Sequence, residues 1–461
     1  MIGIIISLVL LIYLAYRGVS VIILAPVLAI LAVVLNSGGP VLGTYTQIFL
    51  PAMGAYLVKF FPLFLLGAIF GKIMQDTGCA GAIANGIIMK LGAGRAALAV
   101  VGACAVLTYG GVSLFVVAFA VYPVAASMFV RSKLPKRFIP ATIALGAFTF
   151  TMTALPGSPR IQNAIPAPYF GTDSFAAPVS GLLAAVIIAA FGLWWLKTRI
   201  GAATARGDGY GEDDDFSGPD DEAGNTKADL PNIWVALAPI VIVILANLAT
   251  SRLVLPNFDT RFLAEELYGN ASLDDVRGIW SLIVGLVVAI LAAIAMNFRH
   301  LTSINTSLKE GVSASFLPIF NTSSEVGYGT VIASIAAFVI LRDAVVNIAP
   351  GYPLISEALA VNILAGVTGS ASGGMSIALE ALGDQYLQMA IENDVYPELL
   401  HRVAALSSGG FDVLPHNGAV ITLLAITGLT HEKSYFDIFM VAVVGPLLGL
   451  GAVLLLSVLV G

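Results

Sequence analysis

Two short polar runs interrupt otherwise apolar stretches of the chain: Thr108-Tyr-Gly-Gly-Val-Ser113 and Thr368-Gly-Ser-Ala-Ser-Gly-Gly374. Glycine lets backbone approach a ligand closely, and hydroxyls both donate and accept. Thr108, Gly110, Gly111 and Ser113 in the first run, with Thr368, Ser370, Ser372, Gly373 and Gly374 in the second, therefore suit a polyol or a hydroxy acid. Two further breaks, Ala154-Leu-Pro-Gly-Ser-Pro-Arg-Ile-Gln-Asn163 and Val413-Leu-Pro-His-Asn-Gly418, add Thr153, Gly157, Ser158, Gln162 and Asn163, then His416 and Asn417. Half-helix N-termini at such breaks offer free N–H groups and the positive end of a dipole, which suit a carboxylate. Arg160 is a further carboxylate partner. Asp412, His416 and Glu325 are the candidates to carry a proton, because ionisable groups inside spans are expensive and His titrates near neutral pH. The competing reading is that these small and hydroxyl residues only pack helices closely, and that Asp412 and Arg160 cap broken helix ends.

The elements that must hold these residues are membrane helices. The chain has 461 residues, 58% hydrophobic and only 11% charged, with a mean hydropathy of +0.94. Soluble domains are about 45–50% apolar and about 25% charged. A net charge of −6 also excludes the basic surface of a nucleic-acid binder. Cys79 and Cys104 form no metal or disulfide motif, and the four histidines stand at unrelated spacings, so no metal or cofactor is expected. No G-x-S-x-G, H-E-x-x-H or paired-Asp motif points to an enzyme.

Ten stretches read as full crossings: about 1–15, 18–35, 54–73, 138–165, 179–196, 232–250, 278–297, 316–341, 399–430 and 437–460. The first lacks a basic n-region and a cleavage site and is read as a retained span. The interrupted stretches 97–130 and 354–379 read as re-entrant hairpins. With both hairpins entering and leaving by one face, 15 of the 22 basic residues fall on the cytoplasmic side, including Arg17, Lys72, Arg95, Arg131, Arg137 and Lys227. Arg252, Arg261, Arg277, Arg342 and Arg402 then fall outside. The acidic, Gly-rich loop 198–231 reads as a flexible cytoplasmic connector.

The same order of features occurs twice. Phe61-Pro62-Leu63-Phe64 is echoed by Leu317-Pro318-Ile319-Phe320; each is followed by a hairpin, a Pro-initiated segment and a Pro/Gly break. The two units run in opposite directions across the membrane, the signature of inverted repeats. The expected fold is an all-α polytopic membrane protein of about ten transmembrane helices plus two re-entrant hairpins in inverted-topology repeats. Gly67/Gly71 and Gly445/Gly449 have the spacing of close helix contacts, compatible with a dimer scaffold.

Four stretches carry a family resemblance: TYGGVSLFVVAFAVYP, GAFTFTMTALPGSPRIQNAIPAPYFGTDSFAAP, TGSASGGMSIALEALG and FDVLPHNGAVITLLAITGLTH. Together they resemble the gluconate permease family of proton symporters, and in detail its hydroxybutyrate and small-carboxylate branch. The family sits in the ion transporter superfamily. The resemblance implies an elevator-type homodimer whose transport domain comprises 54–178 (hairpin 97–130) and 316–436 (hairpin 354–379). The scaffold would then be 1–53, 179–197, 232–315 and 437–461. The Ser-Asn-Thr signatures of sodium dicarboxylate carriers are absent at the hairpin tips, which argues against sodium coupling. The expected protein is a multi-pass carrier of the plasma (inner) membrane that imports a small hydroxy monocarboxylate, of the gluconate or 3-hydroxybutyrate class, together with protons. The alternative is a sodium-coupled or facilitative carrier of another organic anion such as citrate.

Overall fold

The computed structural model describes residues 2–16, 19–36, 39–91, 95–112, 114–211, 230–336, 349, 351–415 and 417–460. All regular structure among these residues is helical. Among the described residues, five helices are long and apolar enough to cross a membrane: Val41–Asp76, Pro178–Ala205, Ile233–Asn257, Leu273–Met296 and His431–Val458. Ile2–Tyr16, Val21–Asn36 and several other apolar helices are shorter. Helices are what lipid demands of such a sequence, since each backbone N–H and C=O must be paired within the chain.

We label the elements that organise the site α1 (Val41–Asp76), α2 (Ala96–Tyr109), α3 (Leu114–Arg131), α4 (Ile139–Ala147) and α5 (Pro178–Ala205) in the first half. In the second half they are α6 (Ile304–Ser334), α7 (Pro353–Thr368), α8 (Ala371–Glu392), α9 (Pro397–Ser408), α10 (Gly418–Thr427) and α11 (His431–Val458).

Helices α1 and α6 pack along their lengths in antiparallel sense. Lys72 pairs with Asp76 at 2.9 Å and with Glu310 at 2.7 Å, and Ser307 donates to Asp76 at 2.6 Å. Further along, the rings of Phe61 and Phe316 stack at 6.4 Å, and Ser324 meets Met53. A Cβ on Gly311 would lie 2.8 Å from Ile69 Cα, so this glycine permits the close approach. The two helices bearing the Phe-Pro and Leu-Pro sequences are thus neighbours of opposite direction.

Each hairpin expected from sequence is a pair of packed helices: α2 and α3 in the first, α7 and α8 in the second. At 1.5 Å per residue α2 is about 21 Å long and α7 about 24 Å. Both fall short of a hydrocarbon core of about 30 Å. The second arm of the second hairpin runs to Glu392, well past the expected end at 379.

Other boundaries also differ. The stretch 138–165 is not one crossing helix: α4 stops at Ala147, a single turn follows at Phe150–Thr153, and irregular backbone leads to a 3-10 turn at Ile161–Asn163. The cause is local. Thr149 and Thr151 donate their hydroxyls to Leu145 O and Gly146 O at 2.6 and 2.7 Å, taking carbonyls that a continuing helix would use. The stretch 399–430 is likewise split into α9 and α10. Residues 198–205, expected in the connector, extend α5, and 304–315 belong to α6. The acidic part of the connector, 212–229, lies outside the described residues, as do Arg17, Lys227 and Arg342. Beyond α5 the chain returns to the basic loop after α3: Arg137 donates to Asp208 at 2.6 Å, which holds the Asp208 carboxyl below its ordinary range.

Gly445 and Gly449 face α5 within the same chain, against Phe191 and Ile188. They serve an internal contact. Cys79 and Cys104 are buried free thiols, and Cys104 packs under Gly146.

Candidate functional site

The site is built from four interruptions, and each hairpin tip is latched to the break of its own half. At the first tip Tyr109 donates to Pro156 O at 2.8 Å, and Ser158 donates back to Tyr109 O at 3.1 Å. Gly111 has φ +92°, and a Cβ there would lie 2.7 Å from Pro159 Cγ. Gly157 has φ +82° and donates its N–H to Ser174 O at 2.8 Å. A Cβ on Gly110 would meet Ile240 at 2.6 Å. These three glycines are demanded by backbone shape and close packing. Thr108 Oγ1 is buried without a partner among the described residues. Ser113 lies outside the described residues.

At the second tip Asn417 does the latching. Its Nδ2 donates to Gly369 O at 2.7 Å, while its Oδ1 accepts from Ala419 N and Val420 N at 2.6 and 3.1 Å, capping α10. Ser370 caps α8 by accepting from Gly373 N at 3.0 Å. Thr368 donates to Leu364 O at 2.9 Å, and Ser372 lies 3.5 Å from Thr322 of α6. Gly374 lets α8 touch the backbone of α7 at Ala365. At Gly373 the missing Cβ leaves room for the carboxylate of Glu325, which reaches over from α6 to the first turn of α8. That turn carries free N–H groups and a positive dipole end. Glu325 Oε2 has no hydrogen-bond partner among the described residues. His416 lies outside them.

The two breaks meet each other, and no hydrogen bond among the described residues joins the two tips directly. A Cβ on Gly409 would lie 2.9 Å from Thr153 Cγ2. Thr153 itself donates to Thr149 O at 3.3 Å. The strongest tie is Arg402, which sequence reasoning placed outside the membrane. It is fully buried in α9, and its guanidinium, with several donors, faces Asn163 of the first break and the carbonyls of the segment that follows the break. It donates to Ala176 O at 2.8 Å, Ser174 O at 3.3 Å and Asn163 Oδ1 at 3.0 Å. Asn163 also donates to Ser158 O and Ser174 O at 3.1 and 2.8 Å, so its amide is committed within the protein. His401 joins the same network through Thr172 at 2.7 Å. Gln162, next along the chain, is only half-buried.

Arg160 stands apart from this network. Its Nε and Nη2 are shielded from solvent yet meet no acceptor among the described residues. An unpaired guanidinium fork in a break is shaped to receive a carboxylate bidentately. On the other side of the electrostatic account stand buried acids with orphaned oxygens: Glu325 Oε2, Asp412 Oδ1 and both oxygens of Glu357. Sequence reasoning missed Glu357, Arg402 and His401. An acid within the apolar arm Pro353-Leu-Ile-Ser-Glu357 is the signal that could have found the first.

No group of three or more His, Cys, Asp or Glu residues is placed to hold a metal among the described residues. A cavity of about 870 Å³ lies elsewhere, between the start of α2 and the end of α5, lined by Leu98, Leu134, Leu196 and Ile200 with Arg95 and Lys197. It contains none of the expected site residues.

The chain matches the model of the family described as GntP family permease over residues 1–408. It is 45% identical over 451 residues to YxjC of Bacillus subtilis (strain 168), described as an uncharacterized transporter, covering 96% of this chain and 95% of that protein. Among solved structures it is similar to the crystal structure of the Alcanivorax borkumensis YdaH transporter, at 15% identity and a TM-score of 0.49, covering 91% of this chain and 89% of that one. With several helices able to cross a bilayer, this is a multi-pass transporter of the plasma membrane and not an enzyme. The chain belongs to the GntP family of permeases.

Proposed function

We propose that the protein is a secondary active symporter that brings a small hydroxy monocarboxylate, of the gluconate or 3-hydroxybutyrate class, into the cell with protons. The observation that carries this reading is the buried, unpaired fork of Arg160 at the first break. A carboxylate docked on Nε and Nη2 would satisfy both donors at once. Thr108 Oγ1, buried and without a partner among the described residues at the first tip, and the half-buried Gln162 of the first break suit substrate hydroxyls. One arginine matches one carboxylate, which favours a monocarboxylate over citrate.

Proton coupling is supported by the acids of the second half, Glu325, Asp412 and Glu357, each buried with an unpartnered oxygen. The antiparallel pairing of α1 with α6, and the latching of each tip to its own break, support two inverted units, 54–178 and 316–436, acting as a transport domain. The flanking helices would serve as the scaffold of a homodimer. The test is uptake of labelled gluconate and 3-hydroxybutyrate into proteoliposomes in sodium-free buffer. An inward proton gradient should drive accumulation above the external concentration, and a protonophore should abolish it. Accumulation that requires sodium alone overturns the coupling; equilibration without accumulation overturns active transport.

A further inference from the structure

Glu357 is the fifth residue of α7, the first arm of the second hairpin. Its side chain is 0% exposed, and neither carboxylate oxygen meets a donor among the described residues. Glu325 and Asp412, the other buried acids of this half, each leave one oxygen without a partner; Glu357 leaves two. An ionised carboxylate needs donors or water at both oxygens, and burial with neither disfavours the charge.

Among the described residues, the elements packed against α7 supply no counter-charge. The arm packs against α8, α9 and the N-terminal helix Ile2–Tyr16. From α8, Tyr386 gives its hydroxyl to Ser356 O at 3.4 Å, while Glu380, Asp384 and Glu392 are exposed. From α9, His401 and Arg402 are turned to Thr172, Asn163 and the carbonyl of Ala176, and Glu398 is exposed. The N-terminal helix brings no acid, lysine, arginine or histidine. Nearer the tip of the same arm, Asn362 Oδ1 is a second buried acceptor without a donor. It sits against Gly410 of the second break, two residues before Asp412, whose Oδ1 is also orphaned.

We propose that Glu357 is a proton-binding site of the carrier, neutral in this conformation, which exchanges its proton with water when α7 shifts against α9. This rests on the reading of the protein as a proton symporter and names a residue that carries the coupling. The group sits outside the anion-binding break, so protonation and substrate binding would be read on separate elements that move together. In the reaction the carboxyl O–H bond breaks, the proton passes to water, and the charge left on Glu357 is solvated; the reverse step reloads it from the other side.

Two measurements decide the matter. In proteoliposomes, E357Q should lose accumulation driven by a proton gradient at least tenfold, while exchange of labelled for unlabelled substrate falls less than twofold; E357D should restore part of the accumulation. Wild-type accumulation by E357Q, or loss of exchange together with accumulation in a variant that elutes and melts like wild type, overturns the proposal. The second readout does not depend on what drives uptake. Infrared difference spectra of purified wild-type and E357Q protein at neutral pH should show a protonated-carboxyl carbonyl band present only in the wild type. Its absence overturns the proposal even if proton-driven uptake stands, and its presence with sodium-driven uptake would overturn only the coupling.

Discussion

The two hairpin tips occupy matching places in the chain and are held by opposite means. The first is sealed sterically: Pro159 and Ile240 leave no room for a Cβ at Gly111 or Gly110, and its hydrogen bonds run to backbone carbonyls. The second is held by side-chain polarity: Asn417 clamps Gly369 and caps α10, Ser370 caps α8, and Glu325 occupies the space that Gly373 leaves. The first half carries the unpaired cation, Arg160, and the second carries the unpaired acids. On the function proposed above, one topology used twice would divide the labour, with anion recognition at the first break and proton chemistry among the acids of the second half.

The largest effect should come from cutting the tie between the halves. Removing the Arg402 side chain takes the charged donor away from Asn163 Oδ1 and from the carbonyl of Ala176, and loss of one partner in a buried charged network costs about 3–5 kcal/mol. R402A should therefore melt far below wild type in detergent; a melting temperature near wild type would show that the halves are joined by something else. Next, R160Q should raise the apparent KM about 10- to 100-fold, the loss of charge-assisted bonds worth about 1.5–3 kcal/mol, with melting unchanged. Equal KM values would leave the first half without its role.

The comparison also ranks the glycines. G111A forces a side chain into a positive-φ position against a proline ring and should cost about 1–3 kcal/mol of stability. G373A meets side-chain ends, the carboxylate of Glu325 and the hydroxyl of Ser370, so its stability loss should be smaller while the pH profile of uptake moves. If the two variants behave alike, the tips do not differ in kind. The smallest effects belong to the latches. N417A removes a cap and should cost about 0.5–2 kcal/mol. S158A removes one neutral bond and should cost about 0.5–1.5 kcal/mol.

Much of this was legible in the sequence because it depends on what lipid forbids. Four polar interruptions had to be buried in protein or line a cavity, and the structure has tips and breaks at those places. Sequence could not say which polar atoms stay free. Asn163 and Asn417 match hydroxy-acid ligands by type, yet each spends its amide on backbone carbonyls and caps, since a broken helix creates orphan groups at the same place. Arg402 was misplaced for a related reason: a basic residue near a Pro-initiated helix start reads as a loop charge until the carbonyls it serves, far away in the chain, are known. Glu357 was passed over because one acid among apolar residues barely lowers the hydropathy of its arm.

The most direct test of the central claim is calorimetric binding of gluconate and 3-hydroxybutyrate to the purified wild-type protein and to R160Q. Wild type should bind one of these acids and ignore the matching neutral amide, and R160Q should bind that acid about 10- to 100-fold more weakly. Equal binding of acid and amide by wild type, or unchanged affinity in R160Q, would contradict an anion site at the first break.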